Sequence, residues 1–193
     1  MSCAVAWQTP TLLSAVLGVT ACAPSAPKAA KTMDVIRQES TPDRLLARGD
    51  SAASVGDLTR AEQYFVAAMS AGGDERALTK RLLIVCSADS RFPAAAKYGE
   101  DFLRRHPGDT EVRFAVATVY IALGEAARAR VELEQVIKER PDIADAHYAL
   151  ADVLRHDGTA LLEADGQYRE YLRLSPTGPN AEAARSLLLK SVP

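Results

Sequence analysis

From Pro42 to Pro176 small and apolar side chains return on a fixed period, and ahead of that stretch they do not. Residues 11–21, TLLSAVLGVTA, form a single apolar run, and residues 23–41, APSAPKAAKTMDVIRQEST, carry few large apolar side chains. Beyond them the order changes. Ala61, Ala95 and Ala129 stand 34 residues apart, and Ala164 follows after 35. Gly56, Gly124 and Gly158 share that spacing, with Ser90 in the missing place, and Gly73, Pro107, Pro141 and Pro176 form a third series. One inserted residue near Thr159–Leu161 accounts for both late positions. A period of this length marks a chain built from stacked copies of one supersecondary unit, none of which can bury its apolar face alone.

The residue types on the period resemble the tetratricopeptide repeat, whose pattern is W-x₂-L-G-x₂-Y…A-x₃-F…P. The first unit, 42–75, offers Leu45, Gly49, Gly56, Ala61 and Phe65. The third, 110–143, offers Val116, Ala117, Tyr120, Gly124, Ala129, Leu133 and Pro141, and the fourth, 144–178, offers Leu150, Ala151, Leu154, Gly158, Ala164, Tyr168 and Pro176. The second, 76–109, is the most degenerate: Leu82, Cys86, Ala95 and Pro107 fit, but Leu83 replaces the small residue and Gly99 the aromatic one. The resemblance implies an all-α domain over 42–193, a right-handed solenoid of about four helix-turn-helix repeats closed by a capping helix at 179–190. Small residues let paired helices approach, while Phe65, Tyr120 and Tyr168 fill the space between them. Glycines at 56, 124 and 158 suit a left-handed cap, and the prolines forbid helix continuation. Asn180 is the N-cap candidate of the last helix, and Leu187, Leu188 and Leu189 cover the last repeat.

The apolar run at 11–21 is too short for the roughly 20 residues of a membrane span and has the length of a signal-peptide core. It ends in Val19-Thr20-Ala21-Cys22, which resembles the bacterial lipobox. That likeness implies a lipoprotein signal at 1–21, a covalent lipid on Cys22 and a flexible tether over 22–41. As a coil, residues 23–41 would average roughly 25 Å end to end. The stretch before the run, MSCAVAWQTP, lacks the basic residues usual there. Ala23 rather than Asp follows Cys22, which in the lipoproteins it resembles implies an outer-membrane, periplasm-facing location.

In the family, the first helix of each unit lines a concave groove for a peptide or protein segment. Carried over, the groove positions are Asp43, Leu46 and Asp50, then Lys80, Ile84 and Ser87, then Glu111, Phe114, Thr118 and Ile121, then Asp145, Tyr148, Asp152 and Arg155. Phe114 and Tyr148 are 34 apart and so equivalent. Either both lie off the apolar packing face, in an apolar strip with Ile84 and Ile121 that suits a partner's side chains, or they pack between adjacent first helices. The Lys/Asn set by which chaperone-binding relatives hold a C-terminal carboxylate is absent, Leu46 and Asp50 standing where it would begin.

Composition removes several classes of function. A formal net charge of -2 gives no general attraction to nucleic acid. Three cysteines, Cys3, Cys22 and Cys86, form no CxxC pair and point to neither a disulfide framework nor a zinc site. Cys86 reads as a buried, unreactive thiol. His106 stands at a helix end where it meets the dipole, His147 packs within its unit, and no catalytic motif is present. The RGD at 48–50 falls on a helix, and Asp74-Glu75 and Glu100-Asp101 read as solvated faces. The expected function is a non-enzymatic adaptor without metal or cofactor. It looks like the small tetratricopeptide lipoproteins of type IV and Tad pilus systems that pilot the outer-membrane secretin. Alternatives are a scaffold lipoprotein for β-barrel assembly or peptidoglycan hydrolases, or a soluble cytoplasmic chaperone or regulator if the N-terminus is not a signal.

Overall fold

The computed structural model describes residues 40–158 and 160–189. The leader at 1–21, Cys22 and all of the tether except residues 40 and 41 lie outside the described residues. Within them the chain forms α1 (Pro42–Ser54), α2 (Leu58–Ser70), α3 (Glu75–Ala88), α4 (Phe92–Arg105), α5 (Thr110–Leu123), α6 (Ala126–Glu139), α7 (Ala144–Asp157), α8 (Leu161–Leu174) and α9 (Ala181–Leu187). Consecutive helices pack as antiparallel pairs, and each pair stacks on its neighbours, with α3 also lying against α5.

Local chemistry sets the boundaries. Pro42 occupies the first turn of α1, where a missing N–H costs nothing. Asp57, Asp74 and Asp109 each accept the backbone N–H of the third residue on, at 3.1, 3.1 and 3.0 Å, and so start α2, α3 and α5. The turns inside the four pairs place Gly56, Gly124 and Gly158 at φ of +80°, +74° and +71°, while the second pair forces Ser90 into the same region at +56°. The second helices begin at Leu58, Phe92 and Ala126, then one residue late at Leu161, so the inserted residue sits in the last of these turns.

Helix pairs close by exchanging size. Gly49 faces Phe65, and a Cβ at 49 would fall inside the van der Waals envelope of the ring. In the degenerate unit the exchange is reversed. Gly99 lies against Leu83 and admits Val116 of the next pair into the space that an aromatic side chain would occupy. The departure from the repeat pattern is therefore compensated, not a gap in the core. Cys86 is fully buried, and burial first, then the Glu62 carboxylate, pushes its thiol up to about 11.

The main core runs from Ala52 to Ala164. A second, smaller core of Ala151, Tyr168, Tyr171, Ala181 and Ala184 seals the last pair against α9. The capping helix covers Ala181–Leu187, shorter than 179–190, because Leu188 turns to extended backbone. Asn180 stands at the N-cap, but its side chain caps nothing. Instead its backbone N–H donates to the Tyr171 hydroxyl at 3.0 Å. At the other end Asp165 accepts the Leu189 N–H at 2.8 Å, so the capping segment is held at both ends by α8.

Candidate functional site

The first helices of the four pairs, α1, α3, α5 and α7, share one face. Positions 34 apart form rows across it: Leu46, Lys80, Phe114 and Tyr148 in one, Asp50, Ile84, Thr118 and Asp152 in the next, and Ala53, Ser87, Ile121 and Arg155 in a third. Within a helix these rows are four and three residues apart, which keeps them on one side.

Two cavities open on this face. One, about 430 Å³, is bounded by Asp50 and Ala53 of α1 and by Lys80, Arg81 and Ile84 of α3. The other, about 810 Å³, lies between Ile121 of α5 and Tyr148, Asp152, Val153 and Arg155 of α7, with Leu187 of α9 on its wall. Ile84 is 66% exposed and Ile121 40% exposed, large aliphatic side chains left in water beside these cavities.

The charges on the first half of the face are spent on one another. Arg81 holds Asp50 at 2.8 Å, Lys80 holds Glu111 at 2.8 Å, and Arg76 holds Asp109 at 2.6 Å. Lys80 first, with Arg76 beside it, keeps the Glu111 carboxyl below its usual range. On the second half Asp152 accepts the Tyr168 hydroxyl at 2.7 Å, and Arg155 donates to the Leu187 carbonyl at 3.3 Å. Burial, followed by that carboxylate, pushes the Tyr168 phenol upward. Asp43 and Asp145 are exposed at the starts of α1 and α7.

Two expected groove residues have a different character from the sequence reading. Phe114 is half-buried against the main core and lines neither cavity. Tyr148 lines the larger cavity but is also half-buried, edge-on to Tyr168 at 5.7 Å and Tyr171 at 5.3 Å. Neither ring lies off the packing face: Phe114 packs on the main core and Tyr148 on the small C-terminal core. Leu46 likewise packs on the main core. Ser87 and Thr118 line neither cavity, and the Thr118 hydroxyl donates to the Ala115 carbonyl at 2.7 Å. Arg81, Val153 and Leu187 were not foreseen. Asp50 and Arg81 stand 31 residues apart, short of the repeat period, so the spacing signalled neither their pairing nor the arrival of Leu187 from α9.

The remaining candidates resolve into structure. Asp74 is exposed and caps α3, and the partly exposed Glu75 pairs with Arg105 and His106. Glu100 accepts both Tyr120 and Arg128 at 2.8 Å, and Asp101 pairs with Arg104. Of these carboxylates Glu100 joins two helix pairs, Glu75 ties α3 to the end of α4, and Asp74 and Asp101 act within their own helices. His106 caps α4 and stacks on Phe102 at 4.5 Å. His147 is buried between Gln167 at 2.7 Å and the Pro141 carbonyl at 3.0 Å, so it also ties its unit to the one before. The RGD lies within α1, with Gly49 buried. Among the described residues no group of three His, Cys, Asp or Glu could hold a metal ion, and no helix is long and apolar enough to cross a membrane.

Comparison with known proteins matches residues 46–110 and 114–179 to the model of the tetratricopeptide repeat. No curated protein sequence matches the chain. Similar solved structures include a tetratricopeptide repeat protein from Parabacteroides merdae, with TM-score 0.67 and 19% identity over 76% of this chain and 58% of that one. YrrB, described as a TPR protein with an unusual peptide-binding site, has TM-score 0.65 and 18% identity over 83% and 88%. MamA from Desulfovibrio magneticus has TM-score 0.65 and 14% identity over 81% and 89%. At these identities the likeness is one of fold.

Proposed function

The chain belongs to the tetratricopeptide repeat family, and from that premise we propose that it is a non-enzymatic protein-interaction module whose first-helix face holds a segment of a partner protein. The observation that carries this reading is the pair of aliphatic side chains, Ile84 and Ile121, exposed beside cavities on one face. Fully burying such a side chain yields about 1.5–3 kcal/mol, a gain that folding leaves partly unused at both positions. The peptide-binding site named for YrrB, a similar fold, supports the same reading.

The finer proposal is that a lipid on Cys22 anchors the module to the outer membrane, facing the periplasm, where it assists assembly of a secretin or pilus. It rests on Val19-Thr20-Ala21-Cys22, Ala23 and the polar stretch that follows. The test is crosslinking and copurification from intact cells, comparing wild type with Ile121→Asp and Cys22→Ala. An envelope partner should be captured by wild type and lost in Ile121→Asp. With Cys22→Ala the protein should move from the membrane to the soluble fraction. Capture that ignores Ile121 would sink the groove reading, and unchanged membrane association in Cys22→Ala would sink the anchor.

A further inference from the structure

A third cavity, of about 350 Å³, is walled by α4, α5 and α6. Arg113 and Val116, which α5 gives to it, lie on a different side of that helix from Phe114, Thr118 and Ile121. The cavity is thus separate from the interaction face argued above and does not depend on it. Leu103 and Val116 make part of its wall apolar, and around Tyr120 the rest carries charge of both signs.

Not all of that charge is spent inside the protein. The Arg113 side chain is 14% exposed and donates to Glu132 at 2.5 Å and to the Pro107 carbonyl, yet its Nε is buried and meets no acceptor among the described residues. A buried donor in that condition is costly unless an acceptor reaches it. Glu132 accepts Arg113 through one oxygen, and Glu100 takes Tyr120 and Arg128, both at 2.8 Å, on the same Oε1. Each carboxylate therefore keeps an oxygen for an incoming donor. Burial works against ionisation of Glu100, but the hydrogen bonds from Tyr120 and Arg128 hold its carboxyl below the usual range. The exposed Arg104 adds a guanidinium whose own partner, Asp101, lies outside the wall.

The signs of these groups select the ligand. A lone anion offered to Arg113 would also meet Glu100 and Glu132, and a lone cation offered to the carboxylates would also meet Arg104 and Arg113. A molecule carrying both charges finds an opposite partner at each end. The volume is that of about a dozen waters at about 30 Å³ each, which suits a small molecule. We propose that this cavity binds a small zwitterion of the α-amino acid class, its carboxylate on Arg113 and Arg104, its ammonium on Glu100 and Glu132, and an aliphatic side chain against Leu103 and Val116.

The experiment uses the full chain with L-leucine as the probe, read by isothermal titration calorimetry and by backbone amide shifts in NMR. Leucine should bind and move the amides of α4 to α6. N-acetyl-leucine, an anion, and leucinamide, a cation, should each bind about tenfold to a hundredfold more weakly, the worth of one lost charge-assisted hydrogen bond. Arg113→Gln combined with Glu132→Gln replaces the ion pair by two neutral side chains, strands no charge, and should cause a loss of the same order. Arg104→Gln, at an exposed position that the fold does not need, should weaken leucine in the same direction and decides the matter if the double variant does not fold. Ile121→Asp should leave leucine binding unchanged, so this site and the interaction face fail separately. The inference is overturned if leucine gives neither heat nor shifts, if its affinity survives these substitutions, or if leucine and N-acetyl-leucine bind alike. Glucose binding here in place of leucine would assign the cavity to a neutral hydroxyl ligand and overturn it as well.

Discussion

Gly99 stands where the repeat pattern asks for an aromatic side chain, and its value lies in the space that it leaves. Val116 and Leu83 occupy that space. Adding a single methyl group should therefore cost as an overpacked core does, about 1–3 kcal/mol for Gly99→Ala in urea denaturation. Val116→Ala alone loses buried contacts. Combined with Gly99→Ala it removes the clash, so the double variant should be less damaged than the sum of the two singles. Strict additivity would show that the two side chains do not compete for one volume. Ser90 illustrates the opposite case, a residue in the place of a repeat glycine that takes the backbone geometry and bears its strain.

Helix α9 is seven residues long, too short to be stable by itself. It is held by the Tyr171 hydroxyl at one end and Asp165 at the other. Arg169, opposed by burial and aided by the Leu189 N–H, holds the Asp165 carboxyl below its ordinary range. A depressed carboxyl contributes stability above its unfolded pKa and loses it as pH falls through the folded value. Seating of α9 should then weaken below about pH 4, the ordinary range of an aspartate. At neutral pH, Asp165→Ala should speed hydrogen exchange of the α9 amides while α3 to α6 stay protected. Since Leu187 walls the larger cavity, the same variant should also weaken peptide binding there. Unchanged α9 exchange would mean that apolar packing alone holds this helix.

Across the whole described molecule, stability is passed between neighbours, because each helix pair touches chiefly the next. The small C-terminal core is distinct from the main one. Tyr171→Ala empties a fully buried position of that small core, at about 3–5 kcal/mol by analogy with other large aromatics. Native-state hydrogen exchange should show the loss confined to α8 and α9. Leu133→Ala, fully buried at the centre of the main core, costs about 2–5 kcal/mol and should lower protection on both sides of α6. Equal and uniform losses from the two variants would contradict a neighbour-coupled array. The exposed ion pairs matter less to this balance, each contributing about 0–1 kcal/mol.

The architecture was readable from the sequence because a repeat writes its local rules several times. Ala61, Ala95, Ala129 and Ala164, the turn glycines and the prolines state close approach, cap and stop at each turn of the period, so helix order and the inserted residue before Leu161 follow from one-dimensional spacing. Ile84 and Ile121 followed from carrying the groove positions of the family that the chain resembles along that period. What the spacing could not state is how side chains from different repeats share volume and charge. Phe114 and Tyr148 became half-buried, Asp50 and Glu111 were neutralised across helices, and Leu187 was brought to a cavity wall from another element. Those outcomes depend on distances between residues about 20 to 70 positions apart, which chain order does not encode and packing alone determines.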